Sequence, residues 1–128
     1  ESYRFEEDRI PILEASMKIV VHEPLSEPML HSACNGLLNL QSYVEEVLRG
    51  TKDQLIGKVW DYTYHERLFN YQPFSLPGID QVESIIKRLE KSNYSNRAQA
   101  VTWMPWKDPA TEGPPCLQRV WCKVVGDE

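Results

Sequence analysis

The chain has no apolar run near the roughly 20 residues that a membrane helix needs. Its best candidate, Met17 to Val21, is broken by Lys18 and stopped by His22, Glu23 and Pro24, so no membrane partner is expected. A basic surplus is also missing. Fourteen Lys and Arg stand against nineteen Asp and Glu, a net charge of -5, which excludes a general nucleic-acid binder dependent on counterion release. Three cysteines, Cys34, Cys116 and Cys122, form no CxxC and no disulfide or zinc framework, so a reducing cytoplasmic setting is the expectation. His22, His31 and His65 share no ligand spacing, and no metal site is expected. There is no GxGxxG or other phosphate-cradling glycine loop. The acidic start, Glu1 to Asp8, has no apolar segment and is not a signal peptide. It also lacks an initiator Met, which predicts a processed product or a piece of a longer chain.

What is present is ordinary globular material, 128 residues with 41% hydrophobic and 26% charged, enough for one domain. Ile10 to Val21 is rich in branched residues and predicts a strand, ended by a turn at Glu23 to Pro28. From Met29 the apolar period becomes helical through Leu30, Ala33, Cys34, Leu37, Val44, Val47 and Leu48, and Gly50 stops it. A long helix over 29–49, central to the core, is predicted. Residues 57–69 are aromatic and predict a strand or strand plus loop. Asp80 and Glu83 form a capping box for an amphipathic helix over 81–91, with Val82, Ile85, Ile86 and Leu89 as its buried stripe. Strands are predicted over 97–103 and 117–125, separated by a loop with four prolines. The fold class is α/β (α+β), a mixed sheet with helices packed on one face.

Three segments could carry chemistry. In Gly113-Pro114-Pro115-Cys116 two prolines stiffen the backbone before a thiol, which suits a nucleophile. Arg97 and Arg119 are the nearest cations in sequence that could activate it. The same cysteine would serve equally as a small buried hydrophobe. Ser95-Asn96-Arg97 offers hydroxyl, amide and guanidinium donors for an anion, or is a solvated helix-end loop. Trp60 to Arg67 could line a pocket for a flat ring, or form core strand.

These segments come in the order of one family. Tyr62 with Arg67, Ile79-Asp80-Gln81, Ser95-Asn96-Arg97, Trp103 and Pro114-Pro115-Cys116 resemble the thymidylate synthase pattern, closest to the archaeal branch and the related pyrimidine nucleotide hydroxymethylases. The likeness covers about Tyr62 to Val125. It implies reductive methylation of dUMP to dTMP by 5,10-methylenetetrahydrofolate, in a cytoplasmic homodimer with no metal. It implies Cys116 as the nucleophile and Tyr62 as an active-site tyrosine. Arg97, with Ser95 in the same turn, would bind the nucleotide phosphate across the dimer interface. Asn96 stands where the family has another arginine, and Leu117 where a His often follows the cysteine. The family's catalytic glutamate maps near Tyr43, with Glu45 and Glu46 beside it. Family elements downstream of the cysteine have no counterpart, so residues 1–128 are expected to be an incomplete single domain of this type, inactive in isolation. The alternatives are a non-catalytic nucleotide-binding or dimerisation domain of the same fold, and a hydroxymethylase.

Overall fold

The computed structural model describes residues 2–5, 11–27 and 37–126. The chain divides into two compact units, residues 1–34 and 35–128.

In the first unit, strand β1 (Ser2–Phe5) pairs antiparallel with β2 (Pro11–Glu14), Ser2 opposite Glu14 and Phe5 opposite Pro11. The long strand predicted over 10–21 is therefore shorter. Residues 15–21 make no ladder, and Met17, Ile19, Val20 and Val21 are exposed. A high content of branched residues favours extended backbone, but the strand forms only where a partner accepts its hydrogen bonds. The predicted turn is present: the Ser26 amide and hydroxyl both donate to the Glu23 carbonyl.

The second unit opens with helix α1 (Leu37–Arg49). Gly50 ends it with φ +63°, and its amide donates to the Glu46 carbonyl at 3.0 Å. A side chain there would be strained, and its Cβ would collide with the His65 ring and the Asp53 carboxylate. The predicted first turns, residues 29–36, lie outside the described residues. The expectation that Val44 and Leu48 sit in a central core is corrected: they are 41% and 60% exposed, while Glu46 is buried.

Residues 57–69 form no strand. A turn around Gly57 leads into helix α2 (Tyr64–Phe69), whose N-cap Thr63 accepts from the Glu66 amide at 3.0 Å. Thr63-x-x-Glu66 is a capping-box spacing, and this local signal outweighs the β-propensity of the aromatic residues. Helix α3 (Gln81–Lys91) is as predicted, with Asp80 accepting from the Glu83 amide at 2.7 Å. Of its stripe, Ile85 is buried, Val82 and Leu89 are half-buried, and Ile86 is 51% exposed. The helix rests on a narrow pair of strands that reaches only the Ile85 side of the stripe.

Strands β3 (Gln99–Val101) and β4 (Arg119–Trp121) are shorter than predicted and pair antiparallel, Ala100 opposite Val120. Among the described residues the sheets are two separate two-stranded antiparallel pairs. This corrects the mixed sheet; the architecture is a small α+β one. The apolar core sits where α3 meets β3: Ile85, Ala98 and Ala100, flanked by Leu68, Leu89 and Cys122. The alternation expected along the last strand holds, with Val120, Cys122 and Val124 half-buried and Trp121 and Val125 exposed.

Candidate functional site

Cys116 is exposed, so the reading of it as a buried hydrophobe fails. Its neighbours in sequence are fixed. Pro115 is buried. The Leu117 amide donates to the Tyr64 hydroxyl at 3.0 Å. The Leu117 carbonyl accepts from the Thr102 hydroxyl, and the Gln118 carbonyl accepts from the Thr102 amide at 3.0 Å. Thr102 is fully buried. The backbone that carries the thiol is held in place by these bonds.

Tyr64, which accepts from the Leu117 amide, also lines a cleft of about 360 Å³, with Tyr43 and Glu46 from α1, Val59 to Thr63 from the turn, and Gly113; Cys116 is near this cleft but is not one of its lining residues. The volume is within the range of small-molecule sites. Tyr62 and Tyr64 meet edge to face, ring centres 5.5 Å apart. Burial raises the Tyr62 phenol well above the ordinary tyrosine range, helped by hydrogen bonding with Tyr64 and by the charges of Tyr64, Cys116 and Tyr43. Tyr43 is raised too, by burial first and then by Tyr64, Glu46 and Cys116. Both phenols therefore remain protonated donors near neutral pH. Glu46 is 7% exposed and pairs with Lys52 at 3.0 Å, and the Lys52 ammonium sits 5.0 Å from the centre of the Trp60 ring. The cleft thus joins an aromatic and apolar wall to a balanced carboxylate.

Tyr62 is on the cleft wall, as the sequence suggests. Tyr64 lines the cleft as well, and of the two glutamates beside Tyr43 it is Glu46 that lines it, whereas Glu45 pairs with Arg49 at 3.1 Å one turn along the helix. Tyr64 lies within the Trp60 to Arg67 segment offered as a pocket wall, but the strand reading did not single it out; the signal that could have done so is the Thr63 cap of α2. Glu46 was not legible in the sequence, because helical periodicity alone does not say which face of α1 is turned inward.

Arg97 and Ser95 are brought to a different place. They line a polar pocket of about 500 Å³ with Arg88, Lys91, Ser92, Tyr94 and Asn96, which shares no lining residue with the cleft. The Arg97 amide donates to the Ser95 hydroxyl at 3.3 Å, and no carboxylate pairs with the Arg97 guanidinium among the described residues. Three cations around one pocket form a candidate anion site. The Arg119 guanidinium donates to the Gln99 side chain across the strand pair. Among the described residues neither Arg97 nor Arg119 is hydrogen-bonded to Cys116. Among the described residues, no group of His, Cys, Asp and Glu could hold a metal, and no helix is long and apolar enough to cross a membrane.

No protein-family model matches the chain. Curated archaeal proteins named "Putative thymidylate synthase" do. That of Methanopyrus kandleri is 42% identical over 76 residues, 57% of this chain and 34% of the relative. That of Methanothermobacter thermautotrophicus is 34% identical over 121 residues, 83% and 50%. That of Methanosarcina barkeri is 28% identical over 101 residues, 79% and 43%. The chain spans between about a third and a half of the length of these curated relatives. The resemblance to the archaeal branch is borne out: the chain is a relative of the archaeal proteins that bear the name "Putative thymidylate synthase".

Proposed function

We propose that this chain carries the thiol-bearing part of a thymidylate synthase, which converts dUMP to dTMP with 5,10-methylenetetrahydrofolate and acts as a cytoplasmic homodimer. The observation that carries the reading is the exposed Cys116 thiol beside the three-tyrosine cleft, its following amide tied to Tyr64. Residues 1–128 are read as part of one such domain.

In this reading the Cys116 thiolate adds its electron pair to C6 of the pyrimidine, which turns C5 into a carbon nucleophile. Tyr43 and Tyr62, held protonated, offer hydrogen bonds to the oxygen on which charge collects. Glu46 provides the carboxylate that moves protons at the cleft, its charge balanced by Lys52. Loss of the C5 proton and departure of the thiolate complete the cycle on the enzyme side. The flat aromatic and apolar wall of Val59 and Trp60 fits a folate ring system. When bound there, the folate supplies the one-carbon unit and the hydride.

Arg97 and Ser95, with Arg88 and Lys91 around the same pocket, would hold the nucleotide phosphate of a partner subunit's site. The outer face of β3–β4 supports association of two copies, because Val101 is 39% and Trp121 53% exposed there.

The test is substitution of the thiol. Cys116→Ser should lower dTMP formation by on the order of 10³-fold or more while the circular dichroism spectrum is unchanged. Wild-type activity in that variant would end the reading. Formation of a hydroxymethylated nucleotide in place of dTMP would replace it with the hydroxymethylase.

A further inference from the structure

Arg67 is wholly buried, yet its helix α2 has only six residues. A helix so short does not hold itself in water, so its orientation comes from tertiary contacts. Arg67 provides these in three directions. Its Nη2 donates to Asp108 Oδ1 at 2.6 Å, and Asp108 Oδ2 accepts from the Met104 amide at 2.6 Å, which anchors the loop leading to Cys116. Its carbonyl accepts from Gln81 Nε2 at 2.8 Å, and the same Gln81 amide group bonds both backbone groups of Val101 on β3. Its guanidinium carbon lies 5.4 Å from the centre of the Tyr62 ring.

Stability alone does not explain this choice of residue. Arg67 Nη1 is buried without a hydrogen-bond acceptor among the described residues, Nε has only an ion-pair contact with Glu66 Oε2 at 3.2 Å, and a buried ion pair is often matched or bettered by apolar packing. The geometry does explain it. Tyr64 stands three positions before Arg67 on α2, hence on the same face, and its hydroxyl accepts from the Leu117 amide next to the thiol.

We propose that Arg67 is a positioning residue for the Cys116 cleft. Clamped by Asp108, it fixes the rotation of α2, so that Tyr62 stays on the cleft wall and Tyr64 meets the amide beside the thiol. This rests on the reading of that cleft as the reactive site.

The experiment compares Arg67→Lys and Asp108→Asn with wild type by amide hydrogen exchange and by steady-state kinetics. The Leu117 amide depends on α2 for its partner, whereas the Thr102 amide bonds Gln118 within the strand region. The expected result is about tenfold or faster exchange at Leu117 with Thr102 within about twofold of wild type. Equal acceleration at both amides, or none at either, overturns the proposal, since a general loss of structure moves both together. Asp108→Asn keeps the shape of the side chain, so it decides the matter if Arg67→Lys does not fold. Turnover is measured on the protein as its gene encodes it. There kcat should fall about tenfold or more while KM for dUMP stays within about threefold; an unchanged kcat overturns the proposal. If wild type itself makes no dTMP, the functional reading fails, and the exchange comparison still decides whether Arg67 positions the cleft.

Discussion

Two neighbouring parts of the second unit are built on different principles. Where α3 meets β3, the interior is Ile85, Ala98 and Ala100, small and apolar. Where α2 meets the loop before Cys116, the largest fully buried side chains are Arg67, Met104, Thr63, Thr102 and Asp108, four of them polar or charged. The first part is held by non-directional burial, which tolerates exchange of one apolar shape for another. The second is held by directional bonds: Arg67 to Asp108, the Met104 amide to Asp108, and Thr102 to Leu117 and Gln118. Burial stabilises a region without fixing it to a fraction of an ångström. A site that must present a thiol next to protonated phenols needs the second kind of construction.

The contrast has measurable consequences, the largest in the polar part. Asp108→Ala removes the buried partner of Arg67 Nη2 and the acceptor of the Met104 amide, leaving the guanidinium only the Glu66 carboxylate 3.2 Å from Nε, and should cost about 3–5 kcal/mol in denaturant unfolding. Ile85→Ala opens a cavity in the apolar part and should cost about 2–4 kcal/mol. Ile86→Ala, one position on and half-exposed, should stay within about 0.5 kcal/mol. If Asp108→Ala proves milder than Ile85→Ala, the polar pins do not carry the cleft.

Smaller still is Thr63→Ala. It removes the cap of α2 and the hydroxyl that donates to Asp53 Oδ1, for about 1–2 kcal/mol. The loss should appear as faster exchange of the α2 amides with α3 unaffected.

The smallest effect concerns Glu66, whose carboxyl is raised above the ordinary value. Burial is the larger cause and outweighs the lowering by Arg67 and Lys107. The folded state therefore holds the Glu66 proton to higher pH than the unfolded chain does. Its contribution to stability is full below the ordinary carboxylate pKa and is lost as pH rises through the raised value. Glu66→Gln removes that loss. The variant should gain on wild type across this window, remain the more stable at neutral pH, and show no advantage below it. An advantage that grows toward acid would reverse the sign and refute the account.

Much of the fold was legible from neighbours in sequence. Asp80 with Glu83 placed the start of α3, and Gly50 placed the end of α1. The same kind of signal is present at Thr63 and Glu66, but the aromatic residues around it read as a strand, so α2 emerged only in the structure. The candidate nucleophile was legible too, because Pro114-Pro115-Cys116 states its stiffness in three residues.

What the sequence determined by itself were features set within about one helical turn: caps, stops, periodicity and a stiffened thiol. Interactions at that range depend on residue type and spacing alone. Only the tertiary structure decided that Ile85 is buried and Ile86 is not, that Glu46 faces the cleft and Glu45 does not, and that Arg97 lines a pocket apart from the thiol's cleft. It alone joined Arg67 to Asp108 across 41 positions. Each of these outcomes depends on which surface another element happens to cover. A buried charge finds its partner by proximity in space, which spacing along the chain does not encode.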